Sequence, residues 1–199
     1  MYIIGITGGS GAGKTVAIQA LQTLGALTLD CDAIYHELLI NSEDMKAAIM
    51  ARFKDVLTNG TIDRKKLGEI VWNDPNSLQE LNAITHGFIN NEVDKRIEAF
   101  NEQGGKTAAI DAIALIESGK SNKCDVVIGV TAPLEKRLSR IMKRDEITEE
   151  SAQKRINAQQ QDSYYINNCD HILENAYDTQ AEFENKCIEF FSQLMKKNS

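Results

Sequence analysis

The run Gly8-Gly9-Ser10-Gly11-Ala12-Gly13-Lys14-Thr15 satisfies GxxxxGK[ST] in full. Its chemistry is phosphate binding. Glycines let the backbone turn tightly and aim its N–H groups at phosphate oxygens. A helix opening at the end of the run adds a partial positive charge. Lys14 is expected to bridge the β- and γ-phosphates of a nucleotide, and the Thr15 hydroxyl to ligate Mg²⁺. A glycine-rich turn that held no ligand would need neither Lys14 nor Thr15 at that spacing.

Two more groups suit phosphoryl transfer. Leu29-Asp30-Cys31-Asp32 puts two carboxylates at the end of a short apolar run, and ligands of open parallel sheets collect at strand carboxyl ends. In extended chain Asp30 and Asp32 face the same side. Such a pair offers a base for an attacking hydroxyl and an organiser of Mg²⁺-bound water. The competing reading makes Asp32 the N-cap of a helix entering Ala33-Ile34-Tyr35. The second group is Arg137, Arg140 and Arg144, spaced i, i+3, i+7 on one helical face, with Leu134, Leu138 and Ile141 on the other. Lys136, Lys143, Lys154 and Arg155 extend the positive field. Arginines of this kind cover charge on a transferring phosphoryl group; the alternative is a solvated amphipathic helix. Arg140 and Arg144 are expected to converge on phosphates, and Arg137, at the stripe's start, to be solvated.

The elements that must position these residues can be read from the apolar runs. Tyr2–Thr7 and Asp125–Val130 are strand-like, with shorter runs at Leu27–Leu29, Thr107–Ile110 and Ile172–Leu173. They are continuous rather than alternating, as in a parallel sheet covered on both faces. Helical spacing of Val16, Ile18, Leu21 and Leu24 follows the loop and stops at Gly25. A capping box, Thr179-x-x-Glu182, opens the last helix. From about 34 to 101 there is almost no β-like run. Helix starts are expected at Ser42 and at Asp74 before Pro75. That is too much helix for one crossover, so an inserted helical lobe is expected.

The expected fold is α/β, a parallel five-stranded sheet flanked by helices with an inserted helical lobe and a helical lid; the family resemblance given below implies that this is a P-loop kinase fold and that the lobe takes the substrate. The core takes 1–33, 102–132 and 166–199, the lobe about 34–101, and the lid about 133–165.

The 199 residues suit one such domain. Acidic side chains number 29 against 22 basic, a net charge of −7, which disfavours nucleic acid as a partner. No apolar run approaches the length of a membrane span, about 18 residues. Four scattered cysteines and three histidines form no zinc pattern, and reduced thiols suit the cytoplasm. Asn122-Lys123-Cys124-Asp125 matches the guanine-reading NKxD of GTPases, but it precedes the run Val126–Val130 instead of following a strand, and no DxxG switch is present.

Taken together, these motifs resemble the dephospho-coenzyme A kinase family over nearly the whole chain. Thr7–Thr15 resembles its P-loop and Leu29–Ile34 its D-x-D segment. Gly60–Leu67 and Leu81–His86 resemble its substrate-lobe signatures. Arg137–Gln159 resembles its lid, with Arg144-Asp145 and R-I-x-x-Q at Arg155–Gln159, and Cys169–Asn175 its last strand and adenine loop. Any one of these is weak; six in order are specific. The resemblance implies transfer of the ATP γ-phosphate to the ribose 3′-hydroxyl of dephospho-CoA. It implies Asp32 as base, with Lys14, Arg140 and Arg144 also catalytic. ATP would lie on Gly9, Ser10, Gly11, Ala12, Gly13, Lys14, Thr15, Val16 and Asn175. The acceptor would lie on Asp32, Arg64, His86 and Glu117. Mg²⁺ would sit on Thr15, with Asp30 or Asp111 as a further ligand through water. The chain departs from the family pattern at Ile113 (a proline in D-x-P-L-L-F-E), at Gly87 (His-Pro in the family) and at Ala176-Tyr177 (Asn-Gly). Two rival readings are a kinase for another nucleotide-like acceptor and a non-catalytic nucleotide-binding module.

Overall fold

The computed structural model describes residues 1–58 and 60–197. The chain forms two compact units, one of 1–29 with 100–199 and one of 30–99.

The first unit is built on a parallel five-stranded sheet of β1 (Tyr2–Gly8), β2 (Leu27–Asp30), β5 (Thr107–Asp111), β6 (Val126–Thr131) and β7 (His171–Glu174), in the order β2-β5-β1-β6-β7. The order reverses at β1, so β1 lies at the centre and its end is a topological switch point. Ile6 stands beside Asp111 on one side, and Gly8 beside Val130 on the other. All six residues of β6 are buried, which is why the run reads as continuously apolar and not alternating. Helices α1 (Lys14–Thr23) and α9 (Gln180–Lys197) pack together, with Ala17, Ala20 and Leu21 against Phe183, Cys187 and Phe191 in one core.

The expected helix ends are present. At the end of α1 the Ala26 N–H donates to Leu21 O and the Gly25 N–H to Gln22 O, and Gly25 takes φ 82°. This is a Schellman closure, and it needs a left-handed residue. Glu182 accepts from the Thr179 N–H while Thr179 Oγ1 accepts from the Glu182 N–H, completing the capping box. After β6 come α6 (Leu134–Asp145), α7 (Glu149–Asn157) and α8 (Asp162–Asn168). Ile141 of α6 packs with Ala152 and Ile156 of α7.

The second unit holds α2 (Cys31–Asn41), α3 (Glu43–Arg52), α4 (Arg64–Trp72) and most of α5 (Pro75–Glu102). Leu39, Met45, Ile49, Phe53, Leu67, Val71 and Leu81 form its core. Ser42 caps α3 through the Met45 N–H, and Asp74 accepts from the Asn76 and Ser77 N–H groups ahead of α5. This unit adds a short antiparallel pair, β3 (Leu57–Thr58) with β4 (Thr61–Ile62). Two-residue strands carry too little alternation to be read from sequence.

Candidate active site

The phosphate loop joins β1 to α1. Gly13 is the N-cap of α1 at φ 112°, a conformation open to glycine and costly for other residues. The first N–H groups of a helix lack partners further back in it, and α1 opens directly on the loop. Lys14 folds over the loop, its Nζ donating to Gly8 O at 2.7 Å. Thr15 is exposed.

The loop's carbonyl edge is held by α6 and by the turn after β7. Arg137 Nε donates to Ser10 O at 3.0 Å. Arg140 NH1 donates to Gly11 O at 3.1 Å, and its NH2 to Asn175 Oδ1 at 3.0 Å. Asn175, itself buried, donates from Nδ2 to Ala12 O at 3.0 Å. Three consecutive carbonyls thus have charged or amide donors. Burial lowers the pKa of the Arg140 guanidinium; with a reference above 12 it stays charged.

Arg137 reverses the sequence expectation. It is 4% exposed, not solvated, and is ion-paired through NH1 with Asp162 Oδ1 at 3.2 Å. Its NH2 is buried with no hydrogen-bond partner among the described residues, a condition that costs about 1–3 kcal/mol. Leu134, assigned to the apolar face, is 48% exposed. Arg137 and Ile141 are four apart and so share the buried face of α6, while Leu134 lies toward solvent. A signal for this packing was present in the sequence. GxxxxGK does not require glycine at the second position, yet Gly9 is one, and a Cβ there would sit 2.3 Å from Arg137 NH2. A Cβ at Gly13 would sit 2.4 Å from Asn175 Nδ2.

Arg144 sits differently from its two helix neighbours. Its Nε and NH2 both donate to Asp145, each at 2.8 Å, and Arg155 also pairs with Asp145. The hydrogen bonds from Arg144 hold the Asp145 carboxyl below its usual range, with the charges of Arg144 and Arg155 adding to that. Gln159, the last residue of R-I-x-x-Q, accepts the Ser10 N–H on Oε1 at 2.7 Å. Sequence reasoning gave this residue no role.

In the acidic pair the cap is Asp30, not Asp32. Asp30 Oδ1 accepts from the Asp32 and Ala33 N–H groups. Asp32 lies in the first turn of α2 with an exposed side chain, so the shared-face argument for extended chain does not apply. A carboxylate there is favoured by the helix dipole. Arg64 opens α4 behind the cap Asp63, and its charge opposes the rise that burial gives the Tyr35 phenol. His86 is half-buried on α5. Asp32, Arg64 and His86 belong to the second unit; the phosphate loop, Asp111, Glu117, Asn175 and the α6 arginines belong to the first.

Asp111 ends β5 beside the strand that carries the loop and is half-buried. Its carboxylate and the Thr15 hydroxyl are hard oxygen donors, the ligand type Mg²⁺ prefers. Among the described residues no three His, Cys, Asp or Glu side chains cluster for a metal; an ion bound here would draw its other ligands from phosphate and water. Glu117 is exposed. After burial, its charge is the largest influence raising the Tyr165 phenol to about 12. At the departures from the family pattern, Ile113 is 43% exposed with its carbonyl accepting from Thr7 Oγ1 at 3.0 Å. A Cβ at Gly87 would meet nothing within 4 Å, and Tyr177 O accepts from Lys136 Nζ. Asn122–Asp125 precedes β6, and Asp125 Oδ2 accepts the Ile3 N–H. Its place is structural. No helix among the described residues is long and apolar enough to cross a membrane.

Residues 2–181 match the family model described as dephospho-CoA kinase, CoaE. A dephospho-CoA kinase of Dehalococcoides mccartyi is 35% identical over 181 residues, covering 88% of this chain and 89% of its own. Among solved structures, one from Thermus thermophilus superposes with TM-score 0.80 at 25% identity, covering 97% of each chain. A dephospho-CoA kinase from Campylobacter jejuni superposes with TM-score 0.71 at 27% identity, covering 99% of this chain and 98% of its own.

Proposed function

The chain belongs to the dephospho-CoA kinase family, and we infer from this that it moves the γ-phosphate of ATP onto the ribose 3′-hydroxyl of dephospho-CoA, yielding CoA and ADP. The observation that carries the reading is a complete phosphate loop at the switch point of a parallel sheet, its carbonyl edge braced by Arg137, Arg140 and Asn175. A loop held rigidly by its carbonyls presents its N–H groups in fixed directions. Preorganised donors of this kind stabilise the charge that develops in transfer without reorganising.

Each residue then has a step. The backbone from Gly9 to Val16 cradles the donor phosphates, and the turn at Asn175 lies beside the base. Lys14 neutralises β- and γ-oxygens, and its position over the loop leaves it a short reach. Mg²⁺, held by Thr15 with Asp111 or Asp30 through water, would screen the same oxygens. Asp32 accepts the proton of the attacking hydroxyl, which makes that oxygen a better nucleophile as the bond to phosphorus forms. Arg64, His86 and Glu117 orient the acceptor. Arg140 holds the loop at Gly11, and Arg144 turns from Asp145 to the phosphates when they are present. The four cysteines, scattered along the chain, suit a reducing cytoplasm.

Incubation with Mg-ATP and dephospho-CoA, with the product weighed by mass spectrometry, tests the reading. A gain of one phosphoryl group on dephospho-CoA is expected. Transfer only to other nucleotide-like acceptors would make the chain a diverged kinase, and absence of any single-turnover transfer would leave a binding module.

A further inference from the structure

Ser10 is held by both of its backbone polar groups. Its N–H donates to Gln159 Oε1, and its carbonyl accepts from Arg137 Nε. The two holding residues are themselves linked. Arg137 pairs with Asp162, three residues beyond Gln159, and Arg137, Gln159 and Asp162 line one cavity of about 460 Å³ with Ile156, Gln160 and Ser163. The NH2 of Arg137, buried and without a hydrogen-bond partner among the described residues, lies against Gly9, in the space a side chain there would need.

We propose that Gln159 is a placeholder in the donor-phosphate loop and Arg137 a positioning residue: the Gln159 carboxamide oxygen occupies the Ser10 N–H until a phosphate oxygen displaces it, and Arg137 keeps the Ser10 carbonyl fixed during the exchange. This rests on the reading of Gly8–Thr15 as the donor-phosphate loop. The exchange runs toward phosphate because a hydrogen bond to an anionic oxygen is stronger than one to a neutral amide. It frees the Gln159 side chain, while Asp162 stays paired with Arg137. An amide suits this place and a carboxylate does not. Glutamate would hold the Ser10 N–H with a full charge and repel polyphosphate.

The test is binding of the Mg²⁺ complex of the β,γ-methylene analogue of ATP, measured by calorimetry, with the Ser10 amide followed by NMR. Gln159→Leu removes the competitor, and affinity rises about two- to tenfold. Gln159→Glu strengthens the competitor, and affinity falls about 10- to 100-fold. A Gln159 that only stiffened the fold would weaken binding in both variants, so weaker or unchanged binding in Gln159→Leu overturns the proposal. Arg137→Met is expected to raise KM for ATP by about tenfold or more with a smaller change in kcat, and Arg137→Lys to recover part of it. Should Arg137→Met fail to fold, Asp162→Asn, which keeps the shape and removes the charge, must still raise that KM; an unchanged value overturns the role of Arg137. Failure of the unmodified protein to bind the analogue would instead overturn the phosphate-loop reading itself.

Discussion

The two edges of the phosphate loop have opposite jobs. The carbonyl edge is closed: Ser10, Gly11 and Ala12 give their oxygens to Arg137, Arg140 and Asn175. The N–H edge carries Lys14 and the start of α1, and it is the edge we propose receives ligand. Arginines assigned by spacing to one phosphate-covering stripe are therefore divided between two tasks. Arg137 and Arg140 hold the scaffold, and Arg144 is exposed and tied to Asp145. Charge type alone does not separate a brace from a catalytic group. What separates them is which backbone atoms they meet and how much water they lose.

That division can be broken from either edge. The largest effect is expected from Lys14→Ala, which should abolish phosphoryl transfer with little change in thermal stability, since Lys14 contributes charge to the ligand edge. Retained turnover would mean that the N–H edge is not the donor site. Asp32→Asn keeps shape and loses basicity, so kcat should fall about 10²–10⁴-fold while ATP binding changes little. A loss under about tenfold in a folded variant would reduce Asp32 to a helix-start carboxylate that favours the dipole.

The closed edge should respond in stability. Arg137→Ala removes a buried guanidinium from Ser10 O and Asp162, and denaturant unfolding should show a loss of about 1–3 kcal/mol. Arg144→Ala, at an exposed ion pair, should cost under about 1 kcal/mol in the same measurement but lower kcat, because its charge is useful as the transition state forms. Equal stability losses for the two would erase the distinction drawn between them. Hydrogen exchange should agree: the first turns of α6 stay protected in every ligand state, and α7 gains protection only with ATP and acceptor together.

The smallest effect concerns pH. Asp145 is held below its ordinary value of 3.8 by hydrogen bonds from Arg144, then by the charges of Arg144 and Arg155. A depressed carboxylate favours the folded state above its unfolded pKa and loses that contribution as pH falls through its folded value. The knot with Arg144 and Arg155 should thus be intact at neutral pH and open only under acid below 3.8. An NMR titration of the Asp145 carboxyl carbon checks this, and its midpoint should rise toward 3.8 with added salt.

The order of elements, the parallel sheet and the phosphate loop were legible in the residues themselves. Buried parallel strands are uninterrupted apolar runs, Gly25 and Thr179-x-x-Glu182 mark helix ends chemically, and a nucleotide loop needs lysine and threonine at one spacing. These are local signals, each completed within a few residues of chain. The brace on the loop was not legible, because it joins Ser10 to Arg137, Ala12 to Asn175 and Ser10 to Gln159 across more than 120 residues. Nor was the cap of α2: Asp30 and Asp32 are equivalent in composition, and only the backbone path decides that Asp30 turns its oxygen onto the next N–H groups. Sequence determined which groups this protein owns and the period on which they lie. Tertiary structure decided which of them lose their water to a backbone carbonyl, and that desolvation turns Arg137 from a surface charge into part of the site.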